Sequence, residues 1–181
     1  GFDQPQANVR IQVDGSRYVI SNVDGTFRID SVARGDHAVY LDLLSVRADL
    51  TLLDTAQQLI TLDSSHDLIV NFRVVRTGRI SGVVWLDTNE NGRLDEGESP
   101  LPDVRVVTSS GRDTLTDENG YFIIGDLPPG EHVLLLDEKT IPERTRSVAG
   151  SQSVKVAAGN ETTTVLPVAP LPDQIKKFPK N

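Results

Sequence analysis

The chain has 181 residues, room for two modules of roughly 90 residues each, a size at which one core is adequate but not generous. Its formal net charge of −8 repels phosphate backbones and excludes the basic stripe of a nucleic-acid binder, and the absence of cysteine excludes disulfides, thiolate metal sites and a cysteine nucleophile. No apolar run reaches the roughly 20 residues of a membrane span, and Gly1-Phe2-Asp3-Gln4-Pro5 lacks the basic and apolar regions of a signal peptide.

Short runs of Val, Ile, Leu and Thr alternate with polar residues and are separated by Gly, Asp and Asn, the pattern of half-buried strands joined by tight turns. In the first half this predicts strands near Asn8–Val13, Arg17–Ser21, Thr26–Asp30, His37–Asp42, Leu59–Leu62 and Leu68–Val75. Asp24-Gly25 is a turn dipeptide ahead of an inward aromatic, Phe27. Arg34-Gly35-Asp36 spells an integrin-binding tripeptide, but it occupies a turn that the fold needs before the next strand, as Pro129-Gly130-Glu131 does later. Residues 71–76 run straight into residues 78–83 with no Gly/Ser-rich or Pro-rich spacer, so any hinge is confined to Thr77-Gly78 and a stiff junction is expected.

In the second half the predicted strands are Arg79–Leu86, Val104–Thr108, Asp113–Thr116, Tyr121–Ile124, Glu131–Leu136, Ser153–Val156 and Thr162–Val168, with Asn119-Gly120 as the turn ahead of Phe122. No amphipathic helix is legible. Pro167, Pro170, Pro172 and Pro179 punctuate the end of the chain, where Lys176-Lys177-Phe178 suits an extended tail.

The two halves repeat at a spacing of about 95 residues. Val9-Arg10 meets Val104-Arg105, Arg17 meets Arg112, Gly25 meets Gly120 and Phe27 meets Phe122. Ile29 then meets Ile124, Gly35 and His37 meet Gly130 and His132, and Leu41-Asp42 meets Leu136-Asp137. Turn glycines and alternating apolar positions mark a scaffold built twice. The fold expected is all-β: two tandem immunoglobulin-like or transthyretin-like sandwiches over 1–77 and 78–170, then a Pro/Lys-rich tail over 171–181. Gly1-Phe2-Asp3 and Pro5 resemble the region around Leu94-Asp95 and Pro100, so the first module is expected to be truncated, with a further strand and loop upstream.

The most specific chemical motif is the stretch Asp87-Thr88-Asn89-Glu90-Asn91-Gly92-Arg93-Leu94-Asp95-Glu96-Gly97-Glu98. Calcium is a hard ion that takes several oxygen ligands, and a loop of about 12 residues supplies them at alternating positions around a sharp glycine turn. Asp87, Asn89 and Asn91 fill the first, third and fifth positions, Gly92 the turn and Arg93 the backbone carbonyl. Asp95 is ninth and Glu98 the bidentate last ligand. A strand precedes the loop, so it is not a helix-loop-helix sensor, and a structural Ca²⁺ is expected. Leu94 would anchor the loop to a core, and Trp85, the sole tryptophan, would pack under it, with sugar stacking as the rival reading.

His37 and His132 occupy equivalent turns of separate modules and His66 stands alone, so all three read as structural or solvated. No spacing joins a nucleophile to a histidine base, and no catalytic residue is assigned. Asn160-Glu161-Thr162 fits a glycosylation sequon that a bacterial source would leave idle.

Gly82-Val83-Val84-Trp85-Leu86-Asp87 through Glu98, with Pro100-Leu101-Pro102-Asp103-Val104, Thr116-Asp117-Glu118-Asn119-Gly120-Tyr121-Phe122 and Leu127-Pro128-Pro129-Gly130-Glu131-His132, resembles the B domains of serine-aspartate repeat surface proteins. The first half is similar to carboxypeptidase regulatory-like domains of the transthyretin type. The resemblance implies a calcium-stabilised spacer in a bacterial cell-surface or secreted protein, with Asp87, Asn89, Asn91, Asp95 and Glu98 as ligands and Asp117 as an additional one. Related domains cross-link a first-strand lysine to an asparagine, but Arg79 stands in that strand here. A non-catalytic spacer follows, monomeric and flanked by other domains of its parent. The alternative is an adhesin or carbohydrate-binding module that takes a host or matrix ligand through its loops.

Overall fold

A computed structural model describes residues 5–63 and 67–172; the expected roles of Gly1-Phe2-Asp3, His66 and the tail lysines lie outside the described residues. The chain is all-β and divides between Thr77 and Gly78 into two compact units.

In the first unit β1 (Arg10–Val13), β2 (Arg17–Ile20), β3 (Gly35–Leu41) and β5 (Gln57–Leu62) form an antiparallel sheet in the order β2-β1-β3-β5. Between β3 and β5, β4 (Leu50–Leu52) pairs with β6 (Val74–Arg76) as a separate ribbon. Alternation decides which face is buried: Ile11 and Val13 point inward from β1 and Val39 and Leu41 from β3. Together with Val9 these form a small buried cluster, over which Phe27, Ile29, Val70 and Phe72 pack while still partly open.

Two expected strands of this unit are not strands. Residues 27–30 and 69–72 alternate exposed and partly buried side chains, as strands do, but pair with no strand among the described residues; only Val74 and Val75 of the expected 68–75 strand enter a sheet, in β6. Apolar alternation orients side chains, whereas a strand also needs a neighbour about 4.8 Å away to take its backbone hydrogen bonds. Three strands went unforeseen, β4 here and, in the second unit, β8 (Ser99–Pro100) and β13 (Thr145–Ser147), because two or three residues are too short to show a period.

The second unit is a complete sandwich. One sheet runs β10-β9-β12-β14, from β9 (Arg105–Thr108), β10 (Asp113–Leu115), β12 (Gly130–Leu136) and β14 (Ser151–Val156). The other runs β11-β7-β15-β13, from β7 (Gly78–Leu86), β11 (Tyr121–Leu127), β13 (Thr145–Ser147) and β15 (Glu161–Pro170), with the short β8 (Ser99–Pro100) added to β7. Here β7 is central, antiparallel to β11 and parallel to β15. Ile80 and Val84 of β7 join Phe122, Ile124, Leu134, Val154, Val156 and Leu166 in the core. Gly82 faces Phe122, and a Cβ there would lie 2.8 Å from the ring and 2.3 Å from the Thr164 carbonyl oxygen.

Candidate metal centre

The acidic loop is the connection between two paired strands. β7 ends at Leu86, whose partner in β15 is Val168, and the Asp87 N–H donates to the Val168 carbonyl at 2.8 Å. The chain returns at β8, where Ser99 pairs with Leu86 and Pro100 with Trp85. Both ends of residues 87–98 are therefore fixed to the central strand.

Within the loop, oxygens are held by short-range donors. Asp87 is fully buried; its Oδ1 accepts from the Asn91 N–H at 3.2 Å and its Oδ2 from the Gly92 N–H at 2.8 Å. Asn89 Oδ1 accepts from the Asn91 N–H at 3.0 Å, and Asn91 Oδ1 from the Arg93 N–H at 2.7 Å. The amide groups of Asn89 and Asn91 both donate to Asp95 Oδ2, at 2.9 and 2.6 Å, and these bonds lower the Asp95 pKa. Among the described residues nothing donates to the Arg93 carbonyl.

Glu98 closes the loop. Its Oε1 accepts from the Thr88 N–H at 2.9 Å and the Thr88 hydroxyl at 3.2 Å, and its Oε2 from the Asp95 N–H at 3.1 Å and the Trp85 indole N–H at 3.1 Å. Burial alone would raise the Glu98 pKa, but these donors outweigh it and leave the carboxyl below its ordinary value. Trp85 is 1% exposed beneath the loop, so its ring offers no open face to a sugar. Arg146 of β13 reaches Glu90 at 2.7 Å.

The structure thus links Asp87, Asn89, Asn91, Asp95 and Glu98 through one hydrogen-bonded loop. Among the described residues no three carboxylate or imidazole groups lie close enough to hold an ion by themselves, so amide and backbone oxygens are needed to complete a coordination shell. The donor set fits a hard cation in kind, since every candidate ligand is oxygen and three are carboxylates. Asp117 shapes its own turn: its Oδ1 accepts from the Asn119 and Tyr121 N–H groups, both at 2.9 Å. Leu94 is 53% exposed and does not anchor the loop, a correction to the sequence reading; the hydrogen bonds of Asp87 and Glu98 hold it instead. Thr88 and Arg146 were missed, because a loop threonine and a remote arginine carry no signal in the spacing.

The other tempting residues are framework. His37 bridges Asp14 Oδ2 at 2.7 Å and the Ala33 carbonyl at 2.8 Å, and His132 reaches the Pro128 carbonyl at 2.7 Å, so each ties a turn to the strand that follows it. Asp36 lies inside β3, opposite Thr61, whose hydroxyl donates to it at 2.7 Å. Arg79 pairs with Glu161 at 3.6 Å. No helix among the described residues is long and apolar enough to cross a membrane.

Comparison with known proteins agrees with this architecture. Residues 78–174 match the family model of the SdrD B-like domain. Colossin-A of Dictyostelium discoideum is 35% identical over 88 residues, which is 46% of this chain and 1% of that protein. The fibrinogen-binding protein of Staphylococcus epidermidis is 23% identical over 180 residues, covering 88% of this chain and 16% of that protein. The chain therefore spans a small fraction of these relatives. Among solved structures, the minor pilin of Streptococcus agalactiae is alike in fold, with a TM-score of 0.59 at 14% identity, over 98% of this chain and 88% of that one. The family match covers more than half of the chain and lies on the unit that carries the acidic loop: the chain belongs to the SdrD B-like domain family.

Proposed function

We propose that this chain is a non-catalytic structural segment of a larger bacterial cell-surface or secreted protein, and that Ca²⁺ bound by the loop of residues 87–98 holds its second unit in order. The observation that carries the calcium reading is Asp87. Its carboxylate is fully buried and has no cationic side chain bonded to it among the described residues, and buried carboxylates are stable when paired, hydrogen-bonded or bound to a metal. Asn89, Asn91, the Arg93 carbonyl, Asp95 and Glu98 are the further oxygens within one loop. The ion would supply positive charge to a loop that also carries Glu90 and Glu96, and no reaction is routed through it. Family membership and the pilin-like fold support the spacer reading.

Calorimetric titration of CaCl₂ into chelator-treated protein tests the ion, with heat and saturation expected and lost in Asp87→Ala. Absence of heat in the parent protein removes the calcium reading and leaves the spacer reading standing. The name of the fibrinogen-binding relative favours a second reading, a ligand-binding module. Immobilised fibrinogen separates the two, and no binding by this segment is expected.

A further inference from the structure

Each strand of the first unit falls where a strand of the second does, and the second adds β7, β8, β11 and the first part of β15. At a spacing of about 95 residues, β1, β2, β3, β4 and β5 stand where β9, β10, β12, β13 and β14 stand, and β4 pairs with β6 as β13 pairs with the end of β15. Residues 27–32 correspond to β11 and residues 68–72 to the first part of β15. In the second unit those two strands are separated by β7, which hydrogen-bonds to both. In the first unit no described strand lies between them.

Three observations bear on this place. No backbone N–H of residues 27–32 or 68–72 donates to a backbone carbonyl among the described residues, so two facing runs of donors are open. Between them lies a cleft of about 790 Å³, lined on its floor by Val13, Val39 and Ile60 and on its walls by Phe27, Ile29 and Val70. Phe27 and Ile29 remain half-buried, whereas their counterparts Phe122 and Ile124 are buried against β7.

We propose that the first unit is a strand acceptor, completed by an extended β-strand from the polypeptide joined ahead of β1. Residues 5–9 cannot supply it. They already occupy the place of residues 100–104: a Cβ on Gly25 would lie 2.8 Å from Pro5 Cβ, as one on Gly120 would lie 3.1 Å from Pro100 Cβ, and Asn8 and Val9 are bonded to Ser21. The entering strand runs parallel to 68–72 and antiparallel to 27–32. It carries glycine opposite Phe27, as Gly82 lies opposite Phe122, and apolar residues two positions to either side, as Ile80 and Val84 do. Main-chain bonds to both edges give it affinity and the alternate side chains its register, the logic of β-strand addition.

The test extends the full chain by a copy of residues 78–95 ahead of Gly1, which continues the 95-residue spacing, and follows amide hydrogen exchange in excess chelator so that the result does not depend on any ion. Exchange at the alternate amides of residues 27–32 and 68–72 that face the entering strand is expected to slow by about 100-fold on extension, as they pass from open to sheet-bonded. Gly82→Phe made in the copy alone is expected to abolish the slowing. Unchanged exchange overturns the proposal, as does slowing that survives Gly82→Phe. So does protection already present in the unextended chain, whether intrinsic or rising with protein concentration as a second copy would produce.

Discussion

Gly82 and Trp85, three residues apart on β7, face opposite sides of one sheet and are constrained in opposite ways. At Gly82 there is no room: Gly82→Ala sets a methyl against the Thr164 carbonyl and the Phe122 ring, and is expected to cost about 1–3 kcal/mol by denaturant unfolding of the second unit. At Trp85 a donor is required, so Trp85→Phe leaves Glu98 one bond short and is expected to cost about 1 kcal/mol. In the first unit His37 places both ring nitrogens against acceptors, an arrangement that the protonated ring satisfies fully. The Asp14 side chain, with the Ala33 carbonyl next, raises its pKa above the ordinary 6.5. Its contribution to stability is complete below pH 6.5 and lost as pH rises through the folded value. Asp14, held low by the Ala38 N–H and by His37, loses its own contribution as pH falls below 3.8. The melting temperature of the first unit is therefore expected to fall as pH rises above about 6.5, and His37→Gln to flatten that slope.

At the scale of elements, the acidic loop depends on anchoring at both ends. Pairing of β8 with β7 and the Trp85–Glu98 bond fix its exit, and the Asp87–Val168 bond fixes its entry. At millimolar calcium and a dissociation constant of ~10⁻⁴ to 10⁻³ M, binding adds about 0.4–1.4 kcal/mol. That corresponds to a rise of about 2–10 °C in the melting temperature of a unit this size, measured by Trp85 fluorescence with calcium against chelator. Asp95 and Glu98 both titrate below their ordinary values, so their contribution holds above those values and is lost as pH falls through the folded ones. The shift is expected to shrink on acidification below about pH 4.5 and to vanish in Asp87→Ala. That these side chains share one loop was legible because they lie within twelve consecutive residues. Trp85 was legible beneath the loop, but its bond and that of Thr88 to Glu98 were not, nor was Arg146 on Glu90, which meets the loop only after the strands pair.

Across the whole molecule the duplicated scaffold is unequal. The second unit buries Ile80, Val84, Phe122 and Ile124 together, while the counterparts of the latter two, Phe27 and Ile29, stay half-open. Apolar burial is the main source of stability, so the first unit is expected to melt at the lower temperature. Far-ultraviolet circular dichroism, which sees both units, should record a transition that Trp85 fluorescence, confined to the second, does not.

Spacing, alternation and turn glycines in the sequence were enough to determine an all-β chain, built twice, with an oxygen-rich loop in its second half, because side-chain periodicity and ligand chemistry are local. Whether an alternating segment becomes a strand is not local. Residues 27–32 and residues 121–127 have the same pattern, and only the presence of β7 beside the latter makes it a strand: backbone hydrogen bonds need a partner that sequence pattern cannot place.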